Sequence, residues 1–181
     1  DLEKIITLKP DLVIAWRSGN VVADVEKLEK LGLTVFVIEA SKLRDVPRIL
    51  RVIGKLAGTS TQAELAAAAF EVEWQEIKRS YADRQQISVF QLIWHQPLMT
   101  VNGNHMISDV IALCGGVNVF ASLPSLTPVI STESLLAANP QAIIISVSLE
   151  SAAAEMRKWW QQFPHIRAVK NNHLFFVNPD L

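Results

Sequence analysis

The stretch Leu2-Glu3-Lys4-Ile5-Ile6-Thr7-Leu8-Lys9-Pro10-Asp11-Leu12-Val13-Ile14 decides how this chain is read, because the chain contains it twice. The second copy is Thr132-Glu133-Ser134-Leu135-Leu136-Ala137-Ala138-Asn139-Pro140-Gln141-Ala142-Ile143-Ile144. Each copy has a Glu, a pair of apolar residues and a Pro seven positions after the Glu, and then an apolar run with β-branched residues. The two Glu are 130 residues apart (133 − 3), and so are the two Pro (140 − 10). A unit reused once at that distance predicts two related lobes, each presenting a Glu at an equivalent place. Such an arrangement suits gripping something from both sides.

Outward from the first copy, helix-like and strand-like pieces alternate. Leu12–Trp16 is a short apolar run bounded by Pro10 and Ser18-Gly19, the pattern of a buried strand. Ala23–Leu31 has helical spacing and is followed by Gly32, a C′ residue. Val35–Ile38 gives a second strand, and a helix from about Leu43 to Leu56 ends before Gly58. Strands separated by helices predict βαβ units and parallel sheets. From Ser60 to Asp83 no Gly or Pro interrupts the run, and Ser60 or Thr61 can cap it. A helix of that length spans roughly 35 Å. That is too long for an ordinary crossover and suits a strut between lobes.

Around the second copy the alternation resumes. Strands are predicted at Ile87–Ile93, Ala142–Val147 and His173–Val177, and helices at His105–Leu113, Glu133–Ala138 and Glu150–Gln162. Cys114-Gly115-Gly116-Val117-Asn118 reads as an irregular turn, and Ala121–Ile130, with two prolines, as an irregular loop. The expected fold class is therefore α/β, with two lobes of mainly parallel sheet flanked by helices and joined by one long backbone helix. The first lobe spans 1–58, the connecting helix 59–84 and the second lobe 85–181. The first residues read as the middle of a helix, and the last follow directly on a strand, so the sequence reads as cut at both ends.

With 181 residues, half of them hydrophobic, the chain is long enough to bury a core. Its net charge of −1 has no long block of either sign, which gives no electrostatic footprint for nucleic acid. No run approaches the ~18 uninterrupted apolar residues of a membrane span. The single cysteine, Cys114, excludes an internal disulfide and reads as buried structure at a helix end.

Catalytic signatures are missing: there is no Gly-x-Ser-x-Gly elbow, no P-loop and no GxGxxG after a strand. His95, His105, His165 and His173 fall in no metal-ligand spacing, although His95 and His105 flank one loop and could converge. Aromatics say more. Trp16 and Trp94 each stand at the carboxyl end of a predicted strand, where ligands bind in open parallel sheets. One tryptophan from each lobe would form facing walls for a large, flat, partly apolar ligand. Glu3 and Glu133, at helix starts in both copies, could dock on basic sockets of a two-fold partner.

With these features the chain resembles the helical-backbone class of periplasmic substrate-binding proteins. These serve ABC importers of cobalamin, siderophores, haem and some metals. The segment Leu2 through Asn20 is similar to the first-lobe motif of the cobalamin-binding receptors. Cys114-Gly115-Gly116-Val117-Asn118-Val119-Phe120 and Ser131 through Ile143 are similar to their second lobe. The resemblance implies that Glu3 and Glu133 dock on arginines of a dimeric permease with its ATPase. It implies that Trp16 lines the corrin cleft between the lobes and that Asp180 is a cleft acid near the ligand's lower face. Two cleft positions that are aromatic in those receptors hold Ile93, beside Trp94, and Thr127 here. The family's opening strand–helix unit would precede Asp1, and its closing helices would follow Leu181.

By the same resemblance the protein works in the periplasm, or lipid-anchored outside the cytoplasm. It has no resident cofactor and meets the membrane only through its transporter. The expected function is capture of cobalamin or a similar corrinoid. The alternatives are a receptor of the same fold for haem, a ferric siderophore or a metal ion held through His95 or His105, and an α/β enzyme, which lacks a base–nucleophile pair.

Overall fold

The structure, a computed structural model, describes residues 1–147 and 150–178. The chain divides into two compact units, Asp1–Ala67 and Ala68–Leu181, and the division falls inside one long helix.

The first unit holds α1 (Leu2–Thr7), β1 (Val13–Trp16), α2 (Val22–Lys30), β2 (Val35–Ile38) and α3 (Asp45–Leu56), then enters α4 (Ser60–Tyr81). β1 and β2 are parallel, in register from Val13 opposite Val35 to Trp16 opposite Ile38. Only Ala15 of β1 is buried, and Ile14 and Trp16 are exposed, so the expectation of a buried strand is corrected to a strand with one covered face. Gly32 does end α2 in the left-handed region (φ 85°). Gly54 is dictated by packing instead: a Cβ there would overlap the Ala63 methyl across the α3–α4 crossing.

The second unit carries β3 (Ile87–Leu92), β4 (Trp94–His95), β5 (Leu98–Met99), α5 (Met106–Leu113) and β6 (Gly116–Asn118). It continues with α6 (Thr132–Ala138), β7 (Ala142–Ser146), α7 (Glu150–Trp160), α8 (Arg167–Lys170) and β8 (Leu174–Val177). Its main sheet has the order β6-β3-β7-β8, with every neighbouring pair parallel. Alternating residues feed two cores. Phe90, Leu92, Ile143 and Ile145 pack with Leu135, Met156 and Trp160 on one face, while Val89 and Ala142 meet Ile111 on the other. A parallel sheet covered on both faces has near-continuous apolar strands, as β3 and β7 do.

The structure departs from the sequence expectation in several places, among them α8, which the sequence reading did not predict. β4 and β5 form a small antiparallel hairpin about the cis Gln96–Pro97 peptide. The segment read as an irregular turn supplies β6, because Gly116 packs so closely on Ile111 and Val89 that a side chain would collide with both. Cys114, read as buried, is exposed: it is the C-cap of α5, one residue beyond its packed face. In addition, α1 spans Leu2–Thr7, with the Asp1 side chain bonded to its first turn.

The duplicated segment folds as a duplicated device. The Asp1 carboxylate accepts the Lys4 N–H at 3.2 Å, and the Ser131 hydroxyl accepts the Ser134 N–H at 3.2 Å, so both helices have a side-chain N-cap. Glu3 and Glu133 are each the second residue of their helix. After each helix comes a left-handed residue directly before the proline, Lys9 (φ 46°) and Asn139 (φ 41°). Caps, cap donors and left-handed residues all repeat at the same spacing (131 − 1, 134 − 4 and 139 − 9, each 130). Asn139 also accepts the Arg167 N–H at 2.8 Å, which ties the turn to the start of α8. Asn139→Ala is expected to cost about 2 kcal/mol, from a left-handed alanine and one lost hydrogen bond. Asn139→Gly, which keeps the conformation, is expected to cost about half as much; urea denaturation measures both.

Candidate functional site

Strand topology locates the site in the second unit. From β3 the chain leaves through α5 to β6 on one side, and from β7 it leaves through α7 to β8 on the other. Neighbouring strands whose connections diverge open a crevice at their carboxyl ends, the usual ligand position in open α/β sheets. A cavity of about 530 Å³ lies there, within the usual range for small-molecule sites. Leu92 and Ile145 stand at the carboxyl ends of β3 and β7 beneath it, Ile145 one residue before the last, Met156 and Trp159 of α7 line it, and Trp94 and His95 of the hairpin border it. Ser146 and Glu155 add polar atoms to a mainly apolar lining.

The aromatic groups here touch in sequence. His95 stands edge-on to Trp159 with ring centroids 6.4 Å apart, and Trp159 is perpendicular to the wholly buried Trp160 at 4.9 Å. Trp160 in turn meets Phe90 of β3 at 6.2 Å. The cavity wall is thus continuous with the core, which holds it in one conformation. Trp94 is 60% exposed and donates its indole N–H to the Gln96 carbonyl at 2.8 Å.

In the first unit Trp16 is likewise at a strand end and 56% exposed. Its Nε1–H is donated to Glu39 Oε1 at 3.2 Å, and its backbone N–H to Asn20 Oδ1 at 2.6 Å. Glu39 also accepts the Ser18 N–H at 2.9 Å and the Ser18 hydroxyl at 3.1 Å. The indole lies on Gly19, where an added Cβ would come within 3.0 Å of Cδ2.

Of the other expected ligand positions, Ile93 lines the cavity of the second unit, half-buried beside Trp94. Thr127 is exposed in the 121–130 loop and is not part of that lining. Asp180 lies outside the described residues. His95 borders the cavity, whereas His105 caps α5, its Nδ1 accepting the Ile107 N–H at 3.1 Å. Among the described residues no three His, Cys, Asp or Glu side chains stand together as a metal site. Glu3 and Glu133 are exposed on their first helical turns. The Glu133 carboxyl is held below the usual range by its own backbone N–H and the Ser131 hydroxyl. Sequence reasoning missed Glu39, Trp159 and Met156. Glu39 carries one signal: it directly follows β2, whose last residue, Ile38, pairs with Trp16.

Burial pushes the His105 imidazole below its ordinary value of 6.5, and protonating Nδ1 would end its role as acceptor. The folded state therefore binds this proton less readily than the unfolded state. Stability is full above about pH 6.5 and declines as pH falls below it, until the folded-state value is passed. His105→Asn, which can still cap, is expected to remove that part of the pH dependence while keeping neutral-pH stability within about 1 kcal/mol. Denaturation midpoints between pH 5 and 8 measure it.

A parallel, doubly covered sheet with an aromatic-lined crevice at its strand ends, in a chain whose other α/β unit has its own exposed strand-end tryptophan, defines a ligand-binding protein of α/β type. The chain belongs to the periplasmic binding protein family, whose profile matches residues 1–181. It is 33% identical to the vitamin B12-binding protein of Vibrio cholerae serotype O1 over 180 residues, which is 99% of this chain and 64% of that one. The chain thus spans slightly under two thirds of that relative's length. The crystal structure of the periplasmic vitamin B12 binding protein BtuF of Vibrio cholerae superposes with a TM-score of 0.86 at 34% identity, covering 99% of this chain and 69% of that one. A periplasmic heme binding protein from Pseudomonas aeruginosa shares the fold (TM-score 0.83, 21% identity, 99% and 67% covered).

Proposed function

We propose that this chain is the substrate-capturing part of an ABC importer. It acts outside the cytoplasm, binds cobalamin or a similar corrinoid, and hands it to a dimeric permease driven by its ATPase. The observation that carries this reading is the identity of 33% along 99% of the chain to a vitamin B12-binding protein. The exposed, hydrogen-bonded tryptophans support it, since Trp16 and Trp94 offer large apolar faces already held in place. Preorganised walls lower the ordering cost of binding, which favours tight capture at low ligand concentration. No bond is made or broken in this role.

One observation favours a second reading. His95 borders the cavity, and its imidazole gives a haem or another metal chelate a nitrogen ligand there.

Titration of the full natural chain with cyanocobalamin, hemin and a ferric siderophore, followed by tryptophan fluorescence and calorimetry, tests both. One-to-one binding of the corrinoid alone is expected, weakened about tenfold or more by Trp94→Ala. Binding of hemin without cyanocobalamin, lost in His95→Ala, would overturn the corrinoid assignment in favour of the second reading.

A further inference from the structure

We infer that Glu39 is a positioning residue for Trp16, and that each exposed tryptophan, taken by itself, offers a ligand its ring face alone. That selects a flat, conjugated surface over one presenting hydrogen-bond acceptors. The inference rests on the receptor reading above.

An indole has one polar atom, a donor N–H. On a tryptophan more than half exposed, that donor would ordinarily be left to solvent or to a ligand. Here both are taken. Trp16 Nε1–H goes to Glu39 at 3.2 Å, and Trp94 Nε1–H to the Gln96 carbonyl at 2.8 Å. Each ring therefore has only its apolar, electron-rich face to offer. In the first unit the arrangement is a built clamp. Two bonds from Ser18 fix the Glu39 carboxylate, Asn20 fixes the Trp16 backbone, and Gly19 leaves room for the ring. A carboxylate so placed removes the rotational freedom that an exposed indole would otherwise lose on binding.

The alternative is that Glu39 merely closes the turn through Ser18, and a double-mutant cycle separates the two. In the full natural chain, cyanocobalamin affinity is measured for the parent, Glu39→Ala, Trp16→Ala and the double variant, with melting temperatures alongside. Trp16→Ala is expected to lose about tenfold or more. Glu39→Ala is expected to lose about three- to tenfold with Trp16 present, the range for one immobilised side chain, and nothing in its absence. Glu39→Gln, which keeps an acceptor oxygen, is expected to restore most of the loss. Equal losses from Glu39→Ala in both backgrounds, or no loss in either, would overturn the positioning role and leave the receptor reading intact. Trp94→Phe keeps a face without the N–H and is expected to stay within about threefold of the parent. A loss as large as that of Trp94→Ala would overturn the face-only contact. A parent that binds no corrinoid would overturn the receptor reading, and this inference with it.

Discussion

The Glu3→Ala/Glu133→Ala double variant is expected to bind cyanocobalamin as tightly as the parent and to lose about 100-fold or more in affinity for the permease of the proposed importer. Both carboxylates are exposed, both are the second residue of a side-chain-capped helix, and neither belongs to the cavity lining. A helix N-terminus favours the charged form of a carboxylate. For Glu133 its own N–H and the Ser131 hydroxyl add to that, so its charge persists to lower pH than for an ordinary glutamate. Free in solution, such groups contribute almost nothing to stability. Buried against a cationic partner, each charge-assisted contact is worth roughly 1.5–3 kcal/mol, and two together exceed the ~2.7 kcal/mol of a 100-fold change. Each single variant is expected to show about half the effect in free energy. Binding of immobilised permease measures the docking arm and calorimetry the ligand arm. Loss of ligand affinity with docking intact would move both residues into the ligand site.

Asn118→Ala is expected to cost about 3–5 kcal/mol of folding stability, the largest stability effect argued for a polar residue of this chain. Its side chain is buried, and Nδ2 donates to the Val101 carbonyl and to the Ser108 hydroxyl, each at 2.8 Å. Oδ1 accepts the Phe120 N–H at 2.9 Å. Ser108 then donates to the Asn102 carbonyl at 2.7 Å, and the buried Asn102 side chain bonds the Leu123 carbonyl and the Asn104 N–H, both at 2.9 Å. The network joins β6 and α5 to the chain that follows the hairpin. Removing its centre deletes three bonds and leaves a buried N–H without its acceptor, where each orphaned group costs about 1–3 kcal/mol. Ser108→Ala, which removes two of the network's bonds, is expected to cost about half as much. A urea midpoint shift equivalent to less than 1 kcal/mol for Asn118→Ala would mean that water replaces the carboxamide.

Much of this architecture was legible because punctuation and pattern agreed. Gly32 and Gly58 do occupy left-handed turns that end helices, and the uninterrupted run after Gly58 is one helix of 22 residues. The apolar runs of β3 and β7 are central strands. The strand-end position of Trp16 was also readable, since a strand's direction follows from its place between helices, whereas Trp94, expected at the end of β3, opens the β4–β5 hairpin two residues later. What escaped notice depends on contacts between distant residues. β4 and β5 are two residues each, too short to carry a period, and appear only once paired. The double glycine of 115–116 looks like a turn, yet Gly115 alone needs the left-handed conformation (φ 76°), while Gly116 is set by Ile111 and Val89. Glu39 matters through Trp16 and Ser18, more than 20 residues earlier, and no local pattern encodes that acceptor. Trp159 was indistinguishable from Trp160 in sequence; the turn of α7 puts one on the cavity and the other in the core.

The repeated helix–turn–strand piece has a consequence for how such a protein can diversify. Each copy holds its glutamate through a cap, a short helix and a left-handed residue before proline, all within about a dozen residues of continuous chain. Most side chains on the second-unit cavity come from other segments, the hairpin and α7 among them, and only the end of β7 adds Ile145 and Ser146 from the second copy's strand. Substitutions that reshape the cavity therefore need not disturb the parts that fix the carboxylates. On the proposed importer role, a lineage could exchange one cargo for another while keeping the same translocation partner, and selection on ligand and selection on assembly would act on largely separate stretches of the gene.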